Sequence, residues 1–342
     1  MTGLLFLAAL ALLPLLALLL PALREWQQPT DSGALNIDAS YARQDEVFAD
    51  RFRVIAEGWW QGPEASDGFR RYEPGHRETR PILAAGLECG AEVQLLEEAW
   101  TRGDLVLGPR SEARALLSEG SVHLGADTHV TRWVHGAGPV HLEERCRVDA
   151  RITSAEDIHL GAGCRSTLLS APNIEWEGPL ESLPIEIPSH ARRWLRRRRI
   201  SEAGKSWDIP RKWVNPDGTV FVRGDLILDE EADVDFSLVV WGNLYLRKGA
   251  LVAGDIKAHG DLLVENSAVV GNLCCLGRLV VGAGSSIQGC LRGDDLVWLG
   301  DGVIIGRPDR PEAVVGQRVT LCGKGIVHGR IRALSQHIEV SS

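Results

Sequence analysis

The chain has 342 residues, of which 44% are apolar and 24% charged, and its formal net charge is −9. That length allows two or more domains, and the acidic balance argues against nucleic acid as the main partner. Seven cysteines include no Cys-x-x-Cys pair, so no disulfide framework or zinc site is legible and reduced thiols in a cytosolic compartment are the simplest reading.

Taken in order, Gly3 to Leu23 is a run of 21 residues without a charge, long enough to cross a bilayer as a helix. Pro14 is tolerable in such a helix. A cleaved secretory signal fits less well, because no basic region precedes the run and no small-x-small site follows it. The expectation is a transmembrane anchor over residues 1–24. Arg24 just after it leans toward a cytoplasmic body at the inner membrane, with an exported body as the alternative. Residues 25–80 are polar and mixed. Within them, Tyr41 to Trp60 reads as an amphipathic helix with Val47, Phe48, Phe52, Ile55 and Trp59 on one side, expected to cap the open end of the repeats that follow.

Those repeats occupy two blocks, 81–176 and 219–342. In the second, a Leu-x-Leu type triplet recurs at Leu226, Leu244, Leu262, Leu279, Leu296, Val319 and Ile338, with steps of 18, 18, 17, 17, 23 and 19. A second motif keeps the same period at Val252, Val269, Ile287, Ile304 and Val327. Apolar residues at both ends of a triplet are strand alternation, and Gly-Asp/Asn before the triplet supplies turns. A unit of this size buries an apolar face only when stacked on its copies. The reading is an all-β parallel β-helix of about 18 residues per coil, whose columns Leu226/Leu244/Leu262/Leu279/Leu296 and Val234/Val252/Val269/Ile287/Ile304 point inward ~4.8 Å apart. Arg307 to Pro311 is a polar loop thrown out of the coil. The first block repeats the pattern at Leu105, Val122, Val140, Ile158 and Ile174, with steps of 17, 18, 18 and 16. Residues 177–218 break the period, with five prolines and an arginine-rich run, and read as a connector.

Several constellations follow from the pitch. His123, His141 and His159 occupy the middle of successive triplets and stack outward, as an exposed polar face or a shared transition-metal site. Ile227, Tyr245, Leu263, Val280 and Val297 form the matching outward stripe of the second block. It is apolar, so it needs covering, by this chain or by a second copy; self-association is the functional reading. Arg192, Arg193, Arg196, Arg197, Arg198 and Arg199, around Trp194 and Leu195, suit an anionic lipid surface. Cys146 and Cys164 fall one turn apart, within disulfide reach, or are small turn residues. Cys274, Cys275 and Cys290 read as core or turn fillers. No nucleophile, phosphate-loop or zincin motif is present, so no catalytic, cofactor or metal residue is assigned.

The second block resembles the bactofilin family of bacterial polymer-forming cytoskeletal proteins, through its Gly-Asp/Asn-Leu-x-Leu/Val units (Gly224 to Leu228, Gly242 to Leu246, Gly260 to Val264) and its Val-x-Gly-x-Ile/Leu units (Val252 to Ile256, Val269 to Leu273, Ile287 to Leu291). The resemblance implies a right-handed β-helix that associates end to end into nucleotide-free filaments on the inner face of the membrane. The chain departs from the family in having two blocks and an N-terminal apolar run. The expected function is a membrane-anchored scaffold without chemistry or cofactor, partnered by itself, the membrane and other envelope proteins. Two alternatives are an exported coil that binds or cuts polysaccharide and a hexapeptide-repeat acyltransferase, for which His259 is the sole candidate catalytic residue.

Overall fold

The computed structural model describes residues 47–58, 65–185, 194–195 and 213–342. Apart from the helix Val47–Glu57 and a single 3₁₀ residue, the ordered elements among them are strands of one parallel β-solenoid. The turns stack as the period requires. Leu226, Leu244, Leu262 and Leu279 face one another in successive parallel strands and are fully buried.

The Gly-Asx units explain the pitch. Asp225 Oδ1 accepts the N–H of Asn243, Asn243 Oδ1 that of Asp261, and Asp261 Oδ1 that of Arg278, each at 2.8 Å. Each side chain caps the first amide of the next turn at its corner, a bond worth ~1 kcal/mol. The glycines are where successive turns touch. A Cβ on Gly271 would collide with the backbone carbonyl of Gly254, and one on Gly289 with that of Gly271. Backbone cannot swing aside as a side chain can, so Gly271→Ala is expected to lower stability by ~2–4 kcal/mol. A urea unfolding midpoint unmoved by the substitution would show that the turns do not approach so closely.

The register corrects the sequence reading at one place. Val297, not Leu296, pairs with Leu279, and Trp298 with Val280. Ile305, not Ile304, pairs with Ile287. Leu279 pairs with Val297 in the same register as Leu273 with Leu291, and a one-residue slip would move every side chain to the opposite face. Val297 and Ile305 are therefore inside, while Ile304 is exposed. The exposed Arg307 to Pro311 segment does leave the coil, closed by a bridge between Arg307 and Arg310.

The first block starts earlier than residue 81, because Ala65–Tyr72 already pairs with Ile82–Cys89. Nor do the blocks stand apart. Leu168–Glu177, the last strand of the N-terminal coil, runs antiparallel to Lys324–Ala333, and Arg165–Ser166 runs antiparallel to Ile338–Glu339. The two coils thus meet at their C-terminal ends in a seam. One ladder crosses it: Leu87, Leu105, Val122, Val140, Ile158, Ile174, then Val327, Ile305, Ile287, Val269, Val252, Val234. At ~4.8 Å per step its length is on the order of 50 Å, and all its members belong to one core.

Ending at the seam obliges the second coil to begin far from it, and the described parts of the connector lie along that coil's outward face. Gly178 N–H donates to Gly323 O at 2.8 Å and Gly323 N–H to Pro179 O at 3.0 Å. Arg278 donates to Pro184 O at 3.1 Å. Ile185 is buried among Ile227, Tyr245, Leu263 and Val280. Trp194–Leu195 then adds a strand beside Ile227–Leu228. On the N-terminal coil the helix Val47–Glu57 plays a similar part. It sets Ala49, Phe52 and Ala56 over the outward residues Leu83, Trp100 and Leu117. The ring of Phe52 meets Trp100 and Trp133 edge-on at 6.4 and 5.5 Å. This corrects the expected end cap: the helix covers a side of the coil, and Ile55, expected on the packed face, is exposed.

The transmembrane helix expected over residues 1–24 is also corrected. Among the described residues no helix is long and apolar enough to cross a membrane, and Gly3 to Leu23 lies outside them.

Candidate functional site

The apolar stripe expected to mediate self-association is not a surface. Ile227, Tyr245, Leu263 and Val280 are 0–3% exposed beneath the connector. Val297 lies in the main core, and Trp298 takes the outward place in its turn. The position that the stripe offered to a second copy is filled by Ile185 of the same chain. Arg192, Arg193 and Arg196 to Arg199 lie outside the described residues.

The histidine column does face outward and in register: Val106, His123, His141, His159 and Glu175 oppose one another in turn. The rings of His123 and His141 stack at 5.2 Å and 6°, and those of His141 and His159 lie 5.8 Å apart, tilted by 42°. His123 Nε2 lies 3.2 Å from Glu143 Oε1, and His159 Nδ1 lies 3.1 Å from Glu175 Oε2. Glu143 is itself oriented by the N–H of Ala126 at 3.0 Å. Among the described residues no group of three or more His, Cys, Asp and Glu side chains is placed to hold a metal ion.

This ladder ends in an open cleft of about 1000 Å³ on the seam. His141, His159, Glu143, Glu144, Glu175 and Glu177 line it from the N-terminal coil, and Lys324 to Ile326 from the C-terminal coil. Lys324 Nζ pairs with Glu177 at 2.7 Å across the seam, which raises its pKa. Nearby, His328 Nδ1 meets Asn173 Oδ1 at 2.7 Å, and Asn173 donates to Asp157 at 2.7 Å. Trp176 closes the floor. Its indole N–H donates to Cys322 O at 3.3 Å, and it sits directly opposite Gly325, where any Cβ would strike the ring. The cleft thus offers carboxylates, imidazoles and one ammonium to a polar ligand.

Glu143, Glu175, Trp176 and Lys324 were not singled out from sequence. Glu175 carried a signal, since it is the next member of the histidine column in the triplet Ile174-Glu-Trp176. Lys324 carried none, because it reaches the site by the antiparallel join. His259, the residue considered for acyl transfer, stacks on Trp241 at 4.7 Å and 13° at a corner of the C-terminal coil.

Partial burial lowers the pKa of His141, and the neighbouring His123 and His159 lower it further against the opposing Glu143. A folded-state pKa below the unfolded value means that protons favour the unfolded chain. The contribution is present above the unfolded value, near 6.5, and is lost as pH falls through the folded one. Solvent screening keeps it small, so the expected loss between pH 7 and pH 5 is ~1–2 °C in melting temperature. His141→Gln is expected to remove that increment, read by thermal melts at both pH values. An unchanged difference would show that the ladder does not resist protonation.

Comparison with protein-family models, with curated proteins and with solved structures returned no match.

Proposed function

We propose that the chain is a structural scaffold of the bactofilin kind, which associates with further copies of itself through coil ends. The observation that supports this reading is the seam. Two coil ends, each carrying a row of backbone donors and acceptors, join antiparallel into one ladder, the edge-to-edge pairing to which exposed strands are prone. Within the chain the two C-terminal ends serve each other and Trp194–Leu195 adds to the first turn of the second coil, which among the described residues leaves the outer edge of Ala65–Tyr72, at the N-terminal end of the first coil, for contacts between chains. The arginine-rich run from Arg192 to Arg199 suits an anionic inner-membrane surface. Negative-stain microscopy and mass photometry of the full chain at low and high salt test this. Oligomers or filaments are expected at micromolar concentration. A monomer at every salt and concentration overturns the proposal.

The seam cleft favours a second reading, an exported coil that holds a polysaccharide. Its four glutamates form the kind of outward carboxylate group which that reading needs. Calorimetric titration with neutral and amino-sugar oligosaccharides decides: heat of binding that Glu175→Gln abolishes favours this reading, and silence removes it.

A further inference from the structure

We infer that Cys146 and Cys164 are a disulfide-forming site, joining the last two turns of the N-terminal coil beneath the seam when the chain meets a small-molecule disulfide such as oxidised glutathione. Arg147 pairs with Arg165, and the Arg165 N–H donates to Cys146 O at 2.9 Å, so the two cysteines sit one above the other. Successive turns are ~4.8 Å apart, inside the ~4.4–6.8 Å Cα window that a disulfide spans. Both thiols are free and buried. The neighbouring thiol lowers the pKa of Cys146, and that neighbour together with burial pushes the Cys164 thiol up.

Their place in the coil sharpens the inference. Ser111 and Thr128 hold the same corner in the two preceding turns, where their hydroxyls donate to Gly90 O and Gly108 O, each at 3.3 Å. Cys146 and Cys164 donate to Gly125 O and Glu143 O at 3.2 and 2.9 Å. A thiol is the weaker donor, so a corner that needs only a hydrogen bond is served as well by Ser or Thr. Two thiols stacked one turn apart can add what two hydroxyls cannot, a covalent bond. The other cysteines have different surroundings: Cys290 donates to Glu312 at 2.7 Å, and Cys322 lies 2.9 Å from Ser341 Oγ.

Access runs through the seam. The C-terminal strand Ile338–Val340 lies on this turn, with the Val340 N–H donating to Cys164 O at 3.0 Å, and fraying of that strand uncovers the pair. One thiolate then attacks the oxidant's S–S bond and expels one thiol. The second cysteine gives up its proton and displaces the remaining half as another thiol. One disulfide forms in the protein, and one is reduced to two small thiols.

The experiment equilibrates the reduced full chain with oxidised glutathione, with and without a sub-denaturing concentration of urea, then alkylates in denaturant and measures intact mass and linked peptides. Two fewer alkylated thiols than the seven of the reduced chain are expected, with a peptide joining Cys146 to Cys164 and a melting temperature raised by roughly 5 °C. Cys164→Ser, which the corner accepts as it accepts Ser111, is expected to melt like the reduced parent and to give no linked peptide. Seven alkylated thiols under both conditions, or a bond between any other pair, overturns the inference.

Discussion

Leu263→Asp is expected to unfold the C-terminal coil rather than disperse an assembly. Leu263 is 1% exposed and packed among Ile227, Tyr245, Val280 and Ile185. Removing it forfeits the burial of a leucine side chain, ~1.5–3 kcal/mol. A carboxylate placed among these apolar side chains also loses its hydration. The combined cost is at least ~4 kcal/mol, a large share of the stability of an ordinary domain. Leu263→Met, which preserves volume, is expected to cost under ~1.5 kcal/mol. Leu251→Asp, at a half-exposed outward position of the same coil, is expected to stay within ~0.5 kcal/mol of the parent. Urea unfolding followed by circular dichroism separates the three. A Leu263→Asp chain as stable as the Leu251→Asp chain would mean that the connector does not cover the stripe.

Trp176→Ala is expected to uncouple the two coils. The ring lies at the seam, 3% exposed, against a strand that presents glycine opposite it. Truncation leaves a cavity costing ~3–5 kcal/mol. Repeat structures hold together through contacts between neighbouring turns, so weakening one such contact divides the cooperative unit. Calorimetry of the parent is expected to give one main transition for the joined coils, and Trp176→Ala two, the earlier lower by several degrees. A single transition at the parental temperature would show that the seam carries little of the stability.

The period was legible because every turn must put the same kind of residue in the same column. Leu226, Leu244, Leu262 and Leu279 announced the coil without any tertiary information. Legibility failed where two apolar residues adjoin. Leu296 and Val297 fit the column equally well by composition, and only the strand register carried on from Leu273–Leu291 puts Val297 inside. The outward stripe was read correctly as something needing cover. Its cover, Ile185, lies in a proline-rich segment without periodicity, and contact at that range leaves no mark on the pattern. The seam was invisible for a similar reason, since antiparallel pairing of two coil ends alters neither period. Trp176 was the available hint: it is an indole at an inward position held by leucine in the turns before it, and it fits only because Gly325 faces it. At the candidate site the histidines were legible as a column, while Lys324 arrives by the fold alone.

The antiparallel join of two coils in one chain is the claim on which the rest stands, and disulfide trapping tests it most directly. Glu177 and Lys324 are exposed, paired in register across the seam and bridged at 2.7 Å. The full chain carrying Glu177→Cys and Lys324→Cys is expected to oxidise to a bond within one chain, at monomer mass, in native buffer and not in denaturant, with the parent chain as background. Failure of the pair to link in native buffer, or linkage only between chains, would contradict the join.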